Sequence, residues 1–393
     1  MEELFWKFWE NFRHNLFKPL LLFFYMGFSV PILKVPFEFP HVLYQGLTMY
    51  LLIAIGWKGG EELAELNRGE LAHAAGFMVV GFITNFMIGI IAYLVLRSTT
   101  RLRKIDAATV AGYYGSDSAG TFVTCQGILA TAGIASAPYM PVMLAIMEVP
   151  GCLVALFLVS RLRRSGMDSH GNLPGEAGYD PRSLPAVDEG EGHNHRNRAT
   201  KNGNGSFARF INWELMHEVF LNPGLFLLFG GIFIGFVSQL QGAAVTKEDD
   251  ALFRNLFQGA LCLFLLEMGM TACKRLKDLR TAGLRFVLFA LIGPNIFATC
   301  GIFVAHAYSA AVGQPFALGT YVLFAVLCAA ASYIAVPAIQ RLAIPEASPT
   351  LPLAASLGVT FSYNVTVGIP IYILIAEAVI KRWEIVGAAA GVG

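Results

Sequence analysis

The stretch GSDSAGTF, Gly115–Phe122, decides how this chain folds. It is built of Gly, Ser, Asp and Thr, yet it lies in the middle of a long apolar segment, Ala107–Gly133. A helix that crosses a bilayer satisfies its backbone groups internally. Broken, polar backbone at that depth survives only where protein buries it or where it lines a site. A second interrupted apolar segment, CAAASYIAVPA, Cys328–Ala338, lies in the other half of the chain. Paired interruptions at matching positions are the mark of a transporter binding site.

Composition agrees. The 393 residues are 55% hydrophobic and only 14% charged, with a mean hydropathy of +0.58. A soluble domain carries about 25% charged residues, so the chain is a polytopic membrane protein. A formal net charge of +1 gives no reason to expect nucleic acid as a partner. The six cysteines fall within or at the ends of apolar runs, without CxxC spacing or histidine partners, and read as small buried hydrophobes. MEELFWKFWENFRHNLFKPL at the N-terminus lacks a cleavable signal pattern and reads as an interfacial amphipathic helix.

A spanning helix needs about 20 mostly apolar residues. On that measure about ten spans are expected, at 17–34, 41–58, 71–96, 106–133, 138–160, 218–241, 252–273, 284–309, 316–341 and 351–380. The chain divides into a membrane repeat over 1–164, a linker over 165–215 and a second membrane repeat over 216–393. Ser165–Phe210 is rich in Gly, Asn, Pro, His and charge, cannot bury enough surface to order itself, and reads as flexible and solvated. The halves echo each other: IGWKGGEELAEL (55–66) with MGMTACKRLKDL (268–279), FKPLLLFFYMG (17–27) with LNPGLFLLFGG (221–231), and MEVP (147–150) with VGIP (367–370). Five spans per half is odd, so the second copy enters from the opposite side. The reading is an all-α inverted repeat with broken helices 4 and 9.

Lys and Arg placement sets the orientation. Arg97, Arg101, Arg103, Lys104, Arg161, Arg163, Arg164, Lys274, Arg275, Lys277, Arg280 and Arg341 share one side, which is expected to be cytoplasmic. Lys58, Arg68, Lys247 and Arg254 stand among acids on the other. The linker is then inside the cell and both termini outside, in a multi-pass inner (plasma) membrane protein.

The chemistry sits at the breaks. A half-helix N-terminus offers free N–H groups and partial positive charge to a small anion. Freed carbonyls, with the hydroxyls of Ser116, Ser118 and Thr121, suit sodium. The competing reading is a small-residue packing seam. Asp117 is costly at bilayer depth and is a functional residue by default, able to ligate a cation or to titrate. Glu148 is the other acid expected at depth, with an interhelical hydrogen bond as its structural alternative. Glu267 lies near a span end and suits a local bond. Ser332, Tyr333 and Pro337 form the partner break. Asn364 reads equally as an ion ligand or as interhelical glue. His193 and His195 lie in the linker, and His73 and His306 stand alone near span ends. No nucleophile–base pair, P-loop or zinc spacing is present, and Asp117 without a GxGD motif fits no intramembrane protease, so an enzyme is not expected.

GSDSAGTF after Tyr113-Tyr114, MEVP on the fifth span, LLEMGMTACKRLKDLR (265–280), ASYIAVPA (331–338) and TFSYNVTVGIP (360–370) resemble, in order, the sodium-dependent bicarbonate transporter family of the cyanobacterial permease type. The resemblance spans both membrane halves and excludes the linker. It implies a gate of helices 1, 2, 6 and 7 and a core of helices 3–5 and 8–10. It also implies a substrate held where helices 4 and 9 cross, and uptake driven by sodium, with no cofactor besides that coupling ion. Members are often homotrimers, and some are controlled by a cytoplasmic PII-like protein. The substrate candidates are therefore Gly115, Ser116, Ser118, Ala119, Gly120, Thr121, Ser332, Tyr333, Ile334 and Ala335. The coupling-ion candidates are Ser116, Asp117, Ser118, Glu148, Ser332 and Asn364. The chain departs from the family pattern in one respect. The second crossover of the cyanobacterial permeases is Ser-rich and contains Asp, whereas here Tyr333 stands in that place and the acid, Asp117, is in the first crossover. The expected function is sodium-coupled symport of a small anion, bicarbonate first. Another small anion, proton coupling through Asp117, or a receptor on a transporter-like fold remain the alternatives.

Overall fold

The computed structural model describes residues 17–183, 223–281, 283–333, 336–337, 340 and 343–385. Among the described residues every regular element is helical. In chain order these are α1 (Pro19–Leu33), α2 (His41–Ala64), α3 (Arg68–Thr99), α4 (Lys104–Tyr114), α5 (Ala119–Thr131) and α6 (Met140–Arg164). After the linker come α7 (Pro223–Gln241), α8 (Ala243–Asp250), α9 (Phe257–Leu276), α10 (Leu284–Val312), α11 (Leu318–Ala329) and α12 (Thr350–Arg382). The amphipathic N-terminal stretch lies almost wholly outside the described residues.

Among the described residues five helices, α3, α6, α7, α10 and α12, are long and apolar enough on their own to cross a membrane, where about ten spans were expected. The difference has local causes. One expected span is divided into α4 and α5, and α11 ends halfway along another. Each piece rises about 1.5 Å per residue and so covers only part of a bilayer about 30 Å thick. α1 is 15 residues long. α2 runs on past the expected end to include Glu61 and Glu62, and α9 carries Glu267, Lys274 and Arg275. On α3, Val79, Ile83, Met87 and Ile91 recur every fourth residue and are all exposed, which gives that helix a stripe suited to lipid.

Two close helix pairs organise one side of the molecule: α1 with α9, and α2 with α7. Glycine makes both possible. A Cβ on Gly60 would stand 2.7 Å from the Phe236 amide nitrogen, and one on Gly231 2.7 Å from the Ile53 carbonyl. A Cβ on Gly269 would stand 2.8 Å from the Phe28 nitrogen. Side chains there would force the backbones apart, as at small-residue seams between membrane helices. The other side is built from α3–α6 and α10–α12. Its helices include Pro150 and Pro294, and α12 widens into π turns at Ala354–Phe361 and Asn364–Gly368.

The linker begins as folded structure, against the expectation of a solvated chain from Ser165. The Asp168 side chain is fully buried, and its carboxylate accepts the amide N–H of Asn172 at 2.7 Å, Asp180 at 2.9 Å and His170 at 3.0 Å. Burial pushes the Asp168 carboxyl up, and these three N–H donors outweigh it, holding the group below the usual aspartate range. Met167 and Leu173 are buried beside it. Glu176 then reaches α4, accepting the Lys104 N–H at 2.9 Å, where an acid favours a helix start. Arg163 grips Glu346 through two 2.9 Å contacts, and Arg103 bonds both Asp106 and the His170 carbonyl. The polar composition of this segment is thus spent on a turn fastened to the ends of α4 and α6. Residues 184–222, which hold His193, His195 and the remainder of the expected linker, lie outside the described residues.

Candidate functional site

The chain leaves α4 at Tyr114, runs through Gly115, Ser116 and Asp117, and re-enters helix at Ala119 with Ser118 as its N-cap. The Ser118 hydroxyl accepts the Thr121 N–H at 3.2 Å and the Thr121 hydroxyl at 2.9 Å. Capping of this type fixes where a helix starts. The break fits because its neighbours are small. A Cβ on Gly151 would stand 2.6 Å from the Ser116 nitrogen, and one on Gly115 would stand 2.9 Å from the Gly89 Cα. The Ser116 hydroxyl donates to the Glu148 carbonyl at 2.9 Å, pinning the break to α6.

In the second half α11 ends at Ala329, and residues 330–333 are extended or bent. The Ser332 N–H donates to the Tyr113 carbonyl at 2.8 Å, so the two breaks meet directly. Asn364, fully buried on α12, donates its side-chain amide to the Ala329 carbonyl at 3.1 Å and accepts from the Tyr372 hydroxyl at 2.7 Å. The first bond joins α12 to the end of α11, and the second lies within α12. The Ser332 hydroxyl accepts the Val336 N–H at 3.4 Å. Ile334 and Ala335 lie outside the described residues.

Among the described residues, Asp117 and Tyr333 at the junction have side-chain oxygens without a hydrogen-bond partner. Asp117 is fully buried, and neither carboxylate oxygen has a hydrogen bond. It lies within electrostatic reach of Glu148 on α6 and Cys328 on α11. The C-termini of α4 and α11 both point into this region, and their dipoles add negative potential there. That potential favours a cation, while the N-terminus of α5, which begins one residue beyond Asp117 at the Ser118 cap, favours an anion.

The opposite pole is the N-terminus of α5. There the Tyr333 hydroxyl lies against Gly120 and Ser118, yet it makes no hydrogen bond that satisfies both distance and angle. The Tyr333 ring packs edge-on against Phe361 at 5.8 Å, and Phe264 stands over Gly120. Phe24 meets Phe361 at 6.0 Å, and Tyr44 stacks on Phe264 at 5.9 Å. An aromatic layer from α1, α2, α9 and α12 thus closes over the free helix end. Farther along α5, Leu261 and Leu20 cover Gly127. Beyond them opens a cavity of about 250 Å³, lined by Lys58, Arg254, Gln126 and Gln258 among others. Arg254 is tied there to Glu61 at 2.7 Å and Asp250 at 3.0 Å.

Of the residues singled out from the sequence, Gly115, Ser116, Asp117, Ser118, Ala119, Gly120, Thr121, Ser332 and Tyr333 come together around this junction, with Glu148 on the adjoining helix. Ser116, Ser118, Ser332 and Asn364 hold the backbone in shape. Asp117 and Tyr333 are unsatisfied. Glu267 accepts the Thr271 hydroxyl at 2.8 Å, a local bond within α9. His73 meets Gln314 at 2.9 Å, and His306 meets Tyr321 at 3.3 Å. Sequence reasoning missed Asn85 on α3. It is fully buried and bonds the Met147 carbonyl at 3.0 Å and the Leu327 carbonyl at 3.5 Å. The available signal was an amide in the middle of an otherwise apolar spanning segment.

A helical membrane protein centred on two broken segments that meet, with an unbonded buried carboxylate beside a helix N-terminus, belongs in class with membrane transporters. The sequence profile of the Na+-dependent bicarbonate transporter superfamily matches residues 19–377, and the chain belongs to that superfamily. Membership implies sodium-dependent transport rather than enzymatic work. No curated protein sequence matches the chain.

Proposed function

We propose that this protein is a sodium-coupled symporter that imports a small anion, bicarbonate first. The observation that carries the reading is Asp117, a buried carboxylate with neither oxygen bonded among the described residues, directly before the Ser118 cap that starts α5. Sodium at Asp117 would offset the cost of that carboxylate, and the same charge would draw the anion to α5. Ordered binding of this kind couples the two species.

Two inverted five-helix repeats supply the moving parts. In support, α1 pairs with α9 and α2 with α7, so a gate would draw one helix of each pair from each half. The aromatic layer and Leu261 lie between the site and the cavity near Lys58, as a closed gate would. A homotrimer, and a cytoplasmic PII-like regulator acting through the linker, complete the proposal. Tyr333 supports a second reading for the cargo alone, another small oxyanion, because a neutral phenol stands where the cyanobacterial permeases carry an acid.

Uptake of labelled bicarbonate into proteoliposomes tests the reading. Accumulation should require an inward sodium gradient. Binding without accumulation would identify a receptor, and accumulation that follows a proton gradient alone would sink sodium coupling. Orientation is tested in cells. With the linker inside, a cysteine at the exposed Lys247 should react with an impermeant thiol reagent, and one at the exposed Ala177 should not. The reverse pattern would invert the topology. Exposed native Cys300 must be replaced first.

A further inference from the structure

We propose that Asn85 supplies a ligand to the same cation as Asp117, so that the coupling-ion site spans α3 as well as the first break; this rests on the sodium-symport reading above. The orientation of the Asn85 side chain is fixed by its neighbours. Its nitrogen faces two carbonyl oxygens, Met147 at 3.0 Å and Leu327 at 3.5 Å. A flipped amide would set oxygen against oxygen at both contacts. The amide oxygen is therefore turned away from these carbonyls, and it is buried with no hydrogen bond.

Asn85 and Asp117 share surroundings. Met147 is followed by Glu148 and Leu327 by Cys328, and these next residues are the ones within electrostatic reach of the Asp117 carboxylate. The backbone carbonyl of Asn85 also lies against Gly115, 3.2 Å from where a Cβ on that glycine would stand, two residues from Asp117. Three of the five unbonded buried side-chain oxygens or nitrogens among the described residues are thus acceptors on these two side chains. Buried acceptors that share a neighbourhood and receive no donor can be satisfied by a cation. An all-oxygen set holding one carboxylate and one neutral amide suits a small hard monovalent ion. Bonds from Asn85 to α6 and α11 would also let the ion's arrival tighten the packing of three helices at once.

The test uses the full-length purified protein and reads thermal stability against sodium chloride, with choline chloride holding ionic strength constant. A ligand at free concentration L that binds only the folded state stabilises it by RT ln(1 + L/Kd), so the melting temperature rises with ligand concentration and reports Kd. Wild-type protein should be stabilised by sodium. Asn85→Ala should raise the half-saturating sodium concentration at least about tenfold, equivalent to about 1.4 kcal/mol of ion binding. Asn85→Ser keeps a shorter oxygen ligand without adding charge, and should raise that concentration less, about threefold. A lower melting temperature in choline with unchanged sodium dependence in both variants would show a purely structural amide and overturn the inference. Should Asn85→Ala fail to insert, Asn85→Ser decides alone, and an unchanged sodium dependence in it overturns the inference. Loss of sodium stabilisation in Asp117→Asn but not in the Asn85 variants would sink this inference and leave the symport reading intact. Wild-type protein stabilised by acid and not by sodium would overturn both.

Discussion

Asp117→Asn should raise the half-saturating sodium concentration for uptake at least about tenfold, while anion affinity at saturating sodium changes much less. Asparagine keeps the shape of aspartate and one acceptor oxygen, but it removes the charge. A charged carboxylate at bilayer depth costs a few kcal/mol on insertion scales and more in other treatments. Neither oxygen of Asp117 has a protein partner to offset that cost. If sodium fills the role, losing about 1.4 kcal/mol of ion binding gives the tenfold change. The measurement is sodium-dependent uptake by proteoliposomes containing matched amounts of inserted protein. An unchanged sodium curve would remove Asp117 from the ion site. Loss of pH dependence with the sodium curve intact would assign it to proton transfer.

The second large effect is expected at Gly120. A Cβ there lands on the Tyr333 hydroxyl and stands 3.2 Å from the Phe264 ring. Both rings belong to the aromatic layer, so neither has free space to move into. Gly120→Ala should abolish uptake and destabilise the protein by about 1–3 kcal/mol, the usual range for an overpacked core. Tyr333→Phe removes the one atom that clashes worst. The double variant Gly120→Ala/Tyr333→Phe should therefore recover most of the lost thermal stability, a strong departure from additivity. Additive losses would show that the phenol does not occupy the N-terminus of α5. The recovered protein should still bind anion weakly, because it lacks the hydroxyl that faces the helix end.

The sequence was sufficient for several conclusions. Low charge and long apolar runs required a membrane protein, since about 14% charged residues cannot solvate a chain of this length. The small polar run at Gly115–Phe122 required a broken helix, because such residues inside an apolar segment fit neither a regular span nor lipid. Asp117 stood out for the same reason, and the ordered motifs of both halves pointed to the superfamily that the profile match shows.

Other features depended on neighbours far away in the chain. Composition marked Ser165–Phe210 as solvated, but within it the Asp168 carboxylate gathers three amide donors and turns the described residues 165–183 into a fastened fold. Ser116 and Ser118 look alike in the sequence, yet one is tied to a carbonyl on α6 and the other caps α5. Asn85 carried little local signal. Its meaning depends on the Met147 and Leu327 carbonyls, which occupy its nitrogen and leave its oxygen free. Periodicity and polarity are properties of a segment and can be read along it. Whether a buried polar atom is satisfied is a property of the space between segments, and only the packing of α3, α6 and α11 around the break decides it.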